Sequence, residues 1–486
     1  MSTAVRTLEP KAMWNHFADL NAVPRPSKKE ERVIEFMMAF GKSLGLETIK
    51  DDIGNVIIKK PASKGMEDRA TVCLQSHLDM VHQKNASTVF DFLTQGIDML
   101  VDGDFVKANG TTLGADNGIG VASIMALFTS TDIAHPALEA LFTIDEETGM
   151  TGALGLKGGL LSAKYMLNLD TEDDHELTIG CAGGIDVTGT GNYATQKLEG
   201  EYIGVAVSLR GLTGGHSGMD IHKGRANANM QMNGVLMRAE KMGAHVASID
   251  GGSLRNAIPR ESVAELAILA AHKDSFMAFI DGRNAVIKAE KGSTDPNLDL
   301  SAVFIPTPET VFETAFQHNL LRSLSVMVNG VYAMSPDIEG LVQTSNNVAR
   351  VLVKDGAYSI QCLTRSSVDD EKMLLAHKLE DAMGLLKANV TLTGSYPGWT
   401  PKPESPIVKL MADLYREMYD GEAHVNACHA GLECGILGTN YPDMEMISFG
   451  PNITGAHSPD EKVQISSVQK YWAYLLETLK RIPVKS

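Results

Sequence analysis

Three apolar runs in the N-terminal part of the chain each end in acidic or imidazole side chains, and this pattern constrains the fold most strongly. The runs are TVCLQSHLD, LEALFTIDEE and YMLNLD. Each has the length of a buried strand, and LGADNGIGVASIMALF begins as a glycine-rich turn and continues as an apolar helix. Strands that alternate with helices predict an α/β sheet, and open sheets of this kind bind ligands at the carboxyl ends of their strands. We therefore expect an α/β fold with its functional site at that edge.

The patterning changes after CAGGIDVTGTG, where half-polar strands and amphipathic helices replace the buried runs. Strand-like segments such as YIGVAVSLRGL and VARVLVKD accompany helical segments such as NANMQMNGVLMRAEKM. Two strands and a helix, twice over, predict a separate α+β domain. The proline- and glycine-rich GSYPGWTPKPESP indicates a linker back to α/β patterning. The predicted organisation is a first catalytic part at 1–186, an inserted domain at 187–394 and a second catalytic part at 395–486.

The net charge of the chain is −17, which argues against a nucleic-acid-binding surface and against binding to anionic membranes. The segment MSTAVRTLEPKAMWNHFADL lacks a basic stretch followed by an apolar run, so we predict no secretory signal. No run of about 18 apolar residues predicts a membrane span. The five cysteines lack paired spacing and fit a reducing compartment. We therefore expect a cytoplasmic protein without nucleic-acid or membrane partners.

Metal-binding residue types recur at five points along the chain. They are His77 and Asp79 in SHLDM, Asp116 in LGADNG, Glu146 and Glu147 in DEETG, Asp170 in LNLDT, and His457 in GAHSPDE. Carboxylates and neutral imidazoles are ligands for zinc and similar divalent cations. The set is too large for one catalytic zinc, which takes about three protein ligands. It suits two cations that share a bridging carboxylate at a spacing of about 3.5–4 Å.

Each of these motifs alone also has an ordinary structural interpretation. A His-x-Asp pair is often a packing pair, adjacent glutamates commonly form a solvated face, and Asp before Asn-Gly is usually a turn. Together the motifs indicate more than any one of them does alone. Most of them follow an apolar strand-like run or a glycine turn, where open sheets place their sites. The sequence therefore favours a two-metal site over five unrelated features.

The order of these motifs resembles that of the di-zinc metallopeptidase clan of aminoacylases, carnosinases and glutamate carboxypeptidases. The segments GTTLGADNGIG, GCAGGID, GGHSGMDIHKGRANAN, RNAIPRE, HAGLECG and ITGAHSPDE resemble, within that clan, the bacterial aminoacyl-histidine dipeptidase family. The resemblance covers essentially the whole chain, including the inserted domain. It implies a catalytic domain with a mixed sheet flanked by helices, an inserted α+β lid or dimerisation domain, two zinc ions (with cobalt or manganese as alternatives), and a homodimer.

The resemblance also implies a role for each candidate metal ligand. One ion would be held by His77, Asp170 and the bridging Asp116, and the other by His457, Glu147 and the same Asp116. Two divalent cations carry more positive charge than three carboxylates neutralise, which favours a bridging hydroxide as the nucleophile. The family pattern further implies a cis peptide bond between Asp116 and Asn117.

Five further residues receive roles outside the metal shell. Asp79 would accept the second N–H of His77, and Glu146 would act as the general base. The resemblance implies that His216 in GGHSG stabilises the oxyanion of the scissile carbonyl. It also implies that Asn256 in RNAIP and Arg365 in LTRSS hold the C-terminal carboxylate of the substrate or a nearby carbonyl. Structural alternatives for these two are a turn and a salt-bridged strand end.

The implied activity is hydrolysis of dipeptides with a free amino terminus, with a broad specificity that includes Xaa-His. The alternatives are an aminoacylase or other amide hydrolase of the clan, and a binding protein that has kept the fold without catalysis. Glu146 argues against the second alternative, because a base that binds no metal has no evident use in a binding protein. The sequence gives no role for His222, and Glu433 either orients the substrate or caps a helix.

Overall fold

The computed structural model describes residues 3–485, which form two compact units. The first unit lies within Met1–Gly180, Pro401–Ala427 and Leu432–Ser486, and the second comprises Cys181–Thr400 and Cys428–Gly431. The boundaries expected from the sequence lay after residues 186 and 394, and the units divide after residues 180 and 400. The sequence analysis did not predict that residues 428–431 belong to the second unit, because this depends on contacts between segments far apart in the chain.

An eight-stranded mixed sheet is the centre of the first unit. Its strands, in spatial order, are Glu47–Lys50, Val56–Lys60, Leu138–Thr143, Val72–His77, Tyr165–Asn168, Glu445–Ser448, Glu176–Cys181 and His424–Cys428. The three pairings that join the third to the sixth strand of this order are parallel. The pairings at the Glu47–Lys50 side are antiparallel. The mixed α/β architecture predicted from the sequence is therefore confirmed.

The parallel strands are buried because helices and loops cover them. Every residue of Val72–His77 and Leu138–Thr143 is buried, which is why these strands are mostly apolar and do not alternate between apolar and polar residues. The helix Ala115–Thr129 packs against Val72–His77 and is buried along almost its whole length. It is the apolar helix predicted from LGADNGIGVASIMALF. Because the strands are parallel, their carboxyl ends lie at one edge of the sheet.

The other elements of the first unit surround this sheet. Its α-helices are Lys11–Asn21, Glu31–Ser43, Ala115–Thr129, Glu146–Gly149, Thr151–Gly155, Pro406–Met418, Glu433–Asn440 and Ile465–Arg481, with a 3₁₀ turn at Val5–Thr7. A second sheet has the order Ile453–Thr454, Lys462–Gln464, Phe105–Ala108 and Met99–Asp102. Within residues 3–485, no helix is long and apolar enough to cross a membrane.

The second unit is an antiparallel sheet with helices packed on it. In spatial order the strands are Asp299–Ile305, Tyr202–Arg210, Ser262–Leu269, His245–Gly252, Val342–Lys354, Ala357–Ser366, Gly183–Asn192 and Asn389–Tyr396, and Gly330–Met334 also pairs with Val342–Lys354. The helices are Ala228–Lys241, Lys273–Lys291, Thr314–Val326 and Asp369–Gly384, with 3₁₀ turns at Ile221–Lys223 and Ala270–His272. Two short ladders pair Thr195–Gln196 with Val311–Phe312 and Gly215–His216 with Ala257–Ile258. Alternating strand residues such as Val205 and Val207 pack with helix residues such as Leu236 and Leu320 in one core.

Candidate metal centre

The candidate ligands of the first unit meet at the carboxyl ends of its parallel strands. His77 is the last residue of its strand, Asp170 follows Tyr165–Asn168, and Glu146 and Glu147 follow Leu138–Thr143. Asp116 lies at the start of the helix Ala115–Thr129, and its peptide bond to Asn117 is cis, as the resemblance implies. The ligand atoms form two groups, each within 4.8 Å. The groups are His77, Asp116 and Asp170, and Asp116, Glu147 and His457.

Asp116 belongs to both groups, and it uses a different oxygen for each. His77 Nε2 lies 3.1 Å from Asp116 Oδ1, and His457 Nε2 lies 3.2 Å from Asp116 Oδ2. Asp170 Oδ1 is 3.5 Å from His77 Nε2, and Glu147 Oε2 is 2.9 Å from His457 Nε2. Each imidazole therefore faces two carboxylates, and one of the two is shared.

The chemistry of this donor set fits divalent cations. Glu147 Oε1 is buried and has no hydrogen-bond partner, which is costly for a carboxylate unless a cation neutralises it. The carboxylates of Asp116 and Glu147, which accept hydrogen bonds from the ring, raise the pKa of His457 to about 11. Burial alone would lower the pKa of His77, but Asp170, Asp116 and Asp79 raise it well above its usual value. The field at both imidazoles thus favours positive charge, as a metal site requires.

Asp79 lies behind His77 and also anchors the segment that carries the two glutamates. Its Oδ1 is 3.4 Å from His77 Nδ1 and accepts the main-chain N–H of Glu146 at 3.0 Å. Its Oδ2 accepts the hydroxyl of Ser27 at 2.8 Å and the main-chain N–H of Glu147 at 3.3 Å. The main-chain carbonyl of Asp79 also lies 3.2 Å from His77 Nδ1. Asp79 therefore fixes the His77 ring through its backbone and carboxylate, and fixes the start of the helix Glu146–Gly149 through its carboxylate.

Glu146 and Glu147 leave the strand through a sharp turn. Asp145 has a left-handed backbone (φ 52°), and the short helix Glu146–Gly149 begins directly after it. Neighbouring residues in a strand point to opposite faces, whereas this turn allows both glutamates to lie at the same edge. Burial raises the pKa of Glu146 well above its usual value, and the carboxylates of Asp170 and Glu433 raise it further.

The remaining predicted residues lie together in the second unit. His216 pairs with Ala257 in a short ladder, and the main-chain N–H of Ser217 donates to the carbonyl of Asn256 at 2.8 Å. Arg365 is buried, with Nε 3.4 Å from Ser217 Oγ and Nη1 2.9 Å from Tyr396 OH. His216, Asn256 and Arg365 therefore surround one serine.

The hydrogen bonds of His216 define its tautomer. Its Nδ1 accepts the main-chain N–H groups of Gly218 and Met219 at 3.2 and 3.1 Å, so the neutral ring carries its proton on Nε2. Burial lowers the pKa of His216, and Arg365 lowers it further. His222 is exposed in the 3₁₀ turn Ile221–Lys223.

His429 is one of the residues that the sequence analysis did not identify. Its Nε2 lies 2.7 Å from Ser345 Oγ, and burial, with Arg365, His222 and His216 nearby, lowers its pKa to about 3. It begins the HAGLECG segment, so its place in that motif was the available signal. Glu433 from the same segment is buried in the first unit, where its Oε2 accepts hydrogen bonds from Gln75 and Thr143 at 2.7 and 2.6 Å.

Two buried charged residues that hold the loops carrying the candidate ligands were also missed. Arg25 donates to main-chain carbonyls beside His77 and Asp116, and Glu461 accepts main-chain N–H groups beside Asp116. Neither residue offers an atom to either metal group. Their partners are far away in the chain, so no local pattern marks them.

Proteins of similar sequence and fold are known for almost the whole chain. The family model of "Peptidase family M20/M25/M40" matches residues 73–481. The chain is 40% identical over 479 residues to the cytosol non-specific dipeptidase of Escherichia coli K12, an alignment that covers 98% of this chain and 99% of that protein. The crystal structure of aminoacylhistidine dipeptidase from Vibrio alginolyticus superposes with a TM-score of 0.94 at 40% identity and covers 99% of both chains.

A more distant structure has the same fold. A tripeptidase from Staphylococcus aureus, at 15% identity, has a TM-score of 0.56 and covers 98% of this chain and 99% of that one. The family match spans the sheet edge, both metal groups and the second unit. The chain therefore belongs to peptidase family M20/M25/M40.

Proposed function

We propose that this chain is a metal-dependent dipeptidase that cleaves dipeptides with a free amino terminus, over a range of side chains that includes Xaa-His. Two relatives that are 40% identical over nearly the whole chain are named cytosol non-specific dipeptidase and aminoacylhistidine dipeptidase. The observation that carries the proposal is that the two oxygens of Asp116 face different imidazoles, those of His77 and His457. A shared carboxylate of this kind supports a pair of cations.

The proposed metal shell follows from the two groups. His77, Asp116 and Asp170 would hold one cation, and His457, Glu147 and Asp116 would hold the other. When bound, such cations supply Lewis acidity, which lowers the pKa of a water and polarises a peptide carbonyl. We propose zinc, with cobalt or manganese as alternatives, because mixed imidazole and carboxylate donors suit these ions.

Glu146 is the proposed general base. Its carboxylate takes the proton of the attacking water and later delivers it to the leaving amine. The hydrogen bond from its main-chain N–H to Asp79 supports this role, because it fixes the start of the helix from which the side chain projects. Asp79 would also hold the His77 ring through Nδ1, so that Nε2 stays directed at Asp116.

The second unit would contribute groups that bind the anionic parts of the substrate. His216 would donate its Nε2–H to the oxyanion, and the two N–H groups on its Nδ1 support the tautomer this requires. Arg365 and Asn256 would hold the C-terminal carboxylate or a neighbouring carbonyl. We propose that this unit, predicted as residues 187–394, acts as the lid and dimerisation domain.

The assembly and compartment belong to the same proposal. We propose a cytoplasmic homodimer, in line with the word cytosol in the name of the Escherichia coli relative and with the family resemblance. Light scattering on the purified protein tests the dimer. A mass near twice the 52.3 kDa of one chain would support it, and a mass of one chain would reject it.

A matched substrate panel tests the function. The purified protein is assayed on Ala-His and a set of other dipeptides, on their N-acetylated forms, and on the same dipeptides after chelation and after zinc is restored. The proposal predicts cleavage of free dipeptides that chelation abolishes and zinc restores. Preference for the N-acetylated forms would favour an aminoacylase instead. Bound metal without cleavage of any substrate in the panel would favour a binding protein.

A further inference from the structure

The carboxylate of Glu461 accepts hydrogen bonds from the main-chain N–H groups of the turn that carries Asp116. Its Oε2 accepts from Leu113 and Gly114 at 2.7 and 2.9 Å, and its Oε1 accepts from Ala115 and Asp116 at 2.8 and 3.2 Å. The first N–H groups of a helix have no partners within the helix, so one carboxylate here satisfies four donors. Glu461 is 2% exposed, so water does not replace these contacts easily.

Glu461 is on the same short segment as His457. The main-chain N–H of Glu461 donates to the carbonyl of Ser458, and the N–H of Ser458 donates to the carbonyl of Gly455. These bonds fold residues 455–461 into a compact turn, so the position of the carboxylate and that of the imidazole are coupled. Glu461 therefore ties the backbone of His457 to the backbone of Asp116, the two residues that meet in the second metal group.

Arg25 makes the corresponding connection for the first metal group. Its Nη1 donates to the carbonyls of Leu78 and Asp79 at 3.0 Å each, directly after His77. Its Nη2 donates to the carbonyl of Gly114 at 2.6 Å, two residues before Asp116. Arg25 is 1% exposed, and the fixed planar fork of its guanidinium allows one side chain to join two loops.

We infer that Glu461 and Arg25 are positioning residues with separate tasks. Glu461 fixes the backbone of the His457 segment relative to that of Asp116, and Arg25 fixes the backbone after His77 relative to that before Asp116. This inference rests on the proposed two-metal centre. Neither residue offers a ligand atom, so each acts through the backbone of the loops it joins. Loss of Glu461 leaves the Arg25 connection in place, and loss of Arg25 leaves the Glu461 connection. Each loss therefore weakens one metal group more than the other.

Metal titration of Glu461→Gln tests the inference. The amide retains only one acceptor oxygen and turns an NH₂ group towards the main-chain donors, so it cannot satisfy all four. The full-length protein is stripped with chelator and titrated with zinc by calorimetry, and retained metal is counted after dialysis. We expect one of the two zinc affinities to fall about 10–100-fold, and the other to change by less than about threefold. Arg25→Gln should weaken the other affinity.

Ligand variants identify which group is affected. In a His457→Ala background, which already lacks the second group, Glu461→Gln should have little further effect, whereas in a His77→Ala background it should remove the remaining affinity. Asp460→Asn is the matched control, because it removes the same charge from an exposed neighbour. It should retain both affinities.

The outcomes separate this inference from the proposed function. Equal loss of both affinities in Glu461→Gln, together with a lower melting temperature, would mean that Glu461 only stabilises the fold, and would overturn the inference. Unchanged affinities would overturn it as well. If Glu461→Gln does not fold, Glu461→Asp, which keeps the charge and withdraws it by one methylene, is judged by the same criterion. A wild-type protein that binds fewer than two zinc ions would instead refute the proposed metal centre.

Discussion

Histidines in the two units lie in opposite electrostatic surroundings. In the first unit, His457 faces Asp116 and Glu147, and these carboxylates raise its pKa to about 11. In the second unit, burial and the nearby Arg365 lower the pKa of His429 to about 3. The carboxylates around His457 therefore favour positive charge at its ring, whereas the surroundings of His429 keep its ring neutral. The surroundings, rather than the residue type, decide which charge state a histidine favours.

The largest effect is expected from a substitution of Asp116, the residue that both candidate metal groups share. Asp116→Ala removes the carboxylate that belongs to both groups, so both ions should be lost and dipeptide hydrolysis should fall by at least about 10³-fold. Metal content and kcat/KM are measured together. Retention of two ions would contradict the shared role of Asp116.

Glu146→Gln should separate chemistry from metal binding. The amide cannot accept the proton of the attacking water, so kcat should fall by about 10²–10⁴-fold. Metal content should match the wild type, because Glu146 is outside both ligand groups. A variant with near-normal kcat would refute the assignment of the base.

His216→Ala tests the proposed oxyanion donor of the second unit. Loss of the Nε2–H donor should lower kcat by about 10²–10³-fold, as removal of an oxyanion donor does elsewhere, and leave metal content unchanged. His222→Ala is the control, since His222 is exposed and has no proposed role. Equal activity losses in the two variants would argue against a specific task for His216.

The smallest effect concerns stability. Because the folded-state pKa of His429 is about 3 and the usual value is near 6.5, the unfolded chain binds this proton first as the pH falls. The stability that depends on neutral His429 is therefore complete above about pH 6.5 and declines below it, by up to about 1.4 kcal/mol per pH unit.

Denaturant unfolding of the wild type and of His429→Gln from about pH 7 to about pH 5 measures this difference. The groups near His429 include Arg365, His222 and His216, which are unchanged in the variant and cancel in the comparison. The wild type should lose stability more steeply towards low pH. Parallel profiles would show that His429 is not held neutral by the fold.

Most candidate ligands of the first unit could be predicted from the sequence, but the buried residues that hold their loops could not. The apolar runs ending at His77, Glu146 and Asp170 identified strand ends, and parallel pairing brought those ends together. Asp116 and His457 were marked as candidate ligands by their residue types, and the family resemblance implied their roles as the shared and the distal ligand. The ligand roles themselves remain predictions.

The supporting residues could not be found because their partners are distant in the chain. Glu461 binds residues almost 350 positions earlier, and Arg25 reaches Gly114 across 89 positions. A buried charge of this kind has no local pattern, since its environment is created only by folding. His429 lies in the HAGLECG motif, which was a signal, but its buried environment could not be predicted because Ser345 and Arg365 become its neighbours only in the folded second unit.

Anomalous diffraction at the zinc edge, from crystals of the zinc-loaded protein, is the direct test of a cation pair that shares Asp116. We expect two anomalous peaks about 3.5–4 Å apart, one beside each oxygen of Asp116. The first should be shared with His77 and Asp170 and the second with Glu147 and His457. A single peak, or two peaks of which either lies away from Asp116, would contradict it.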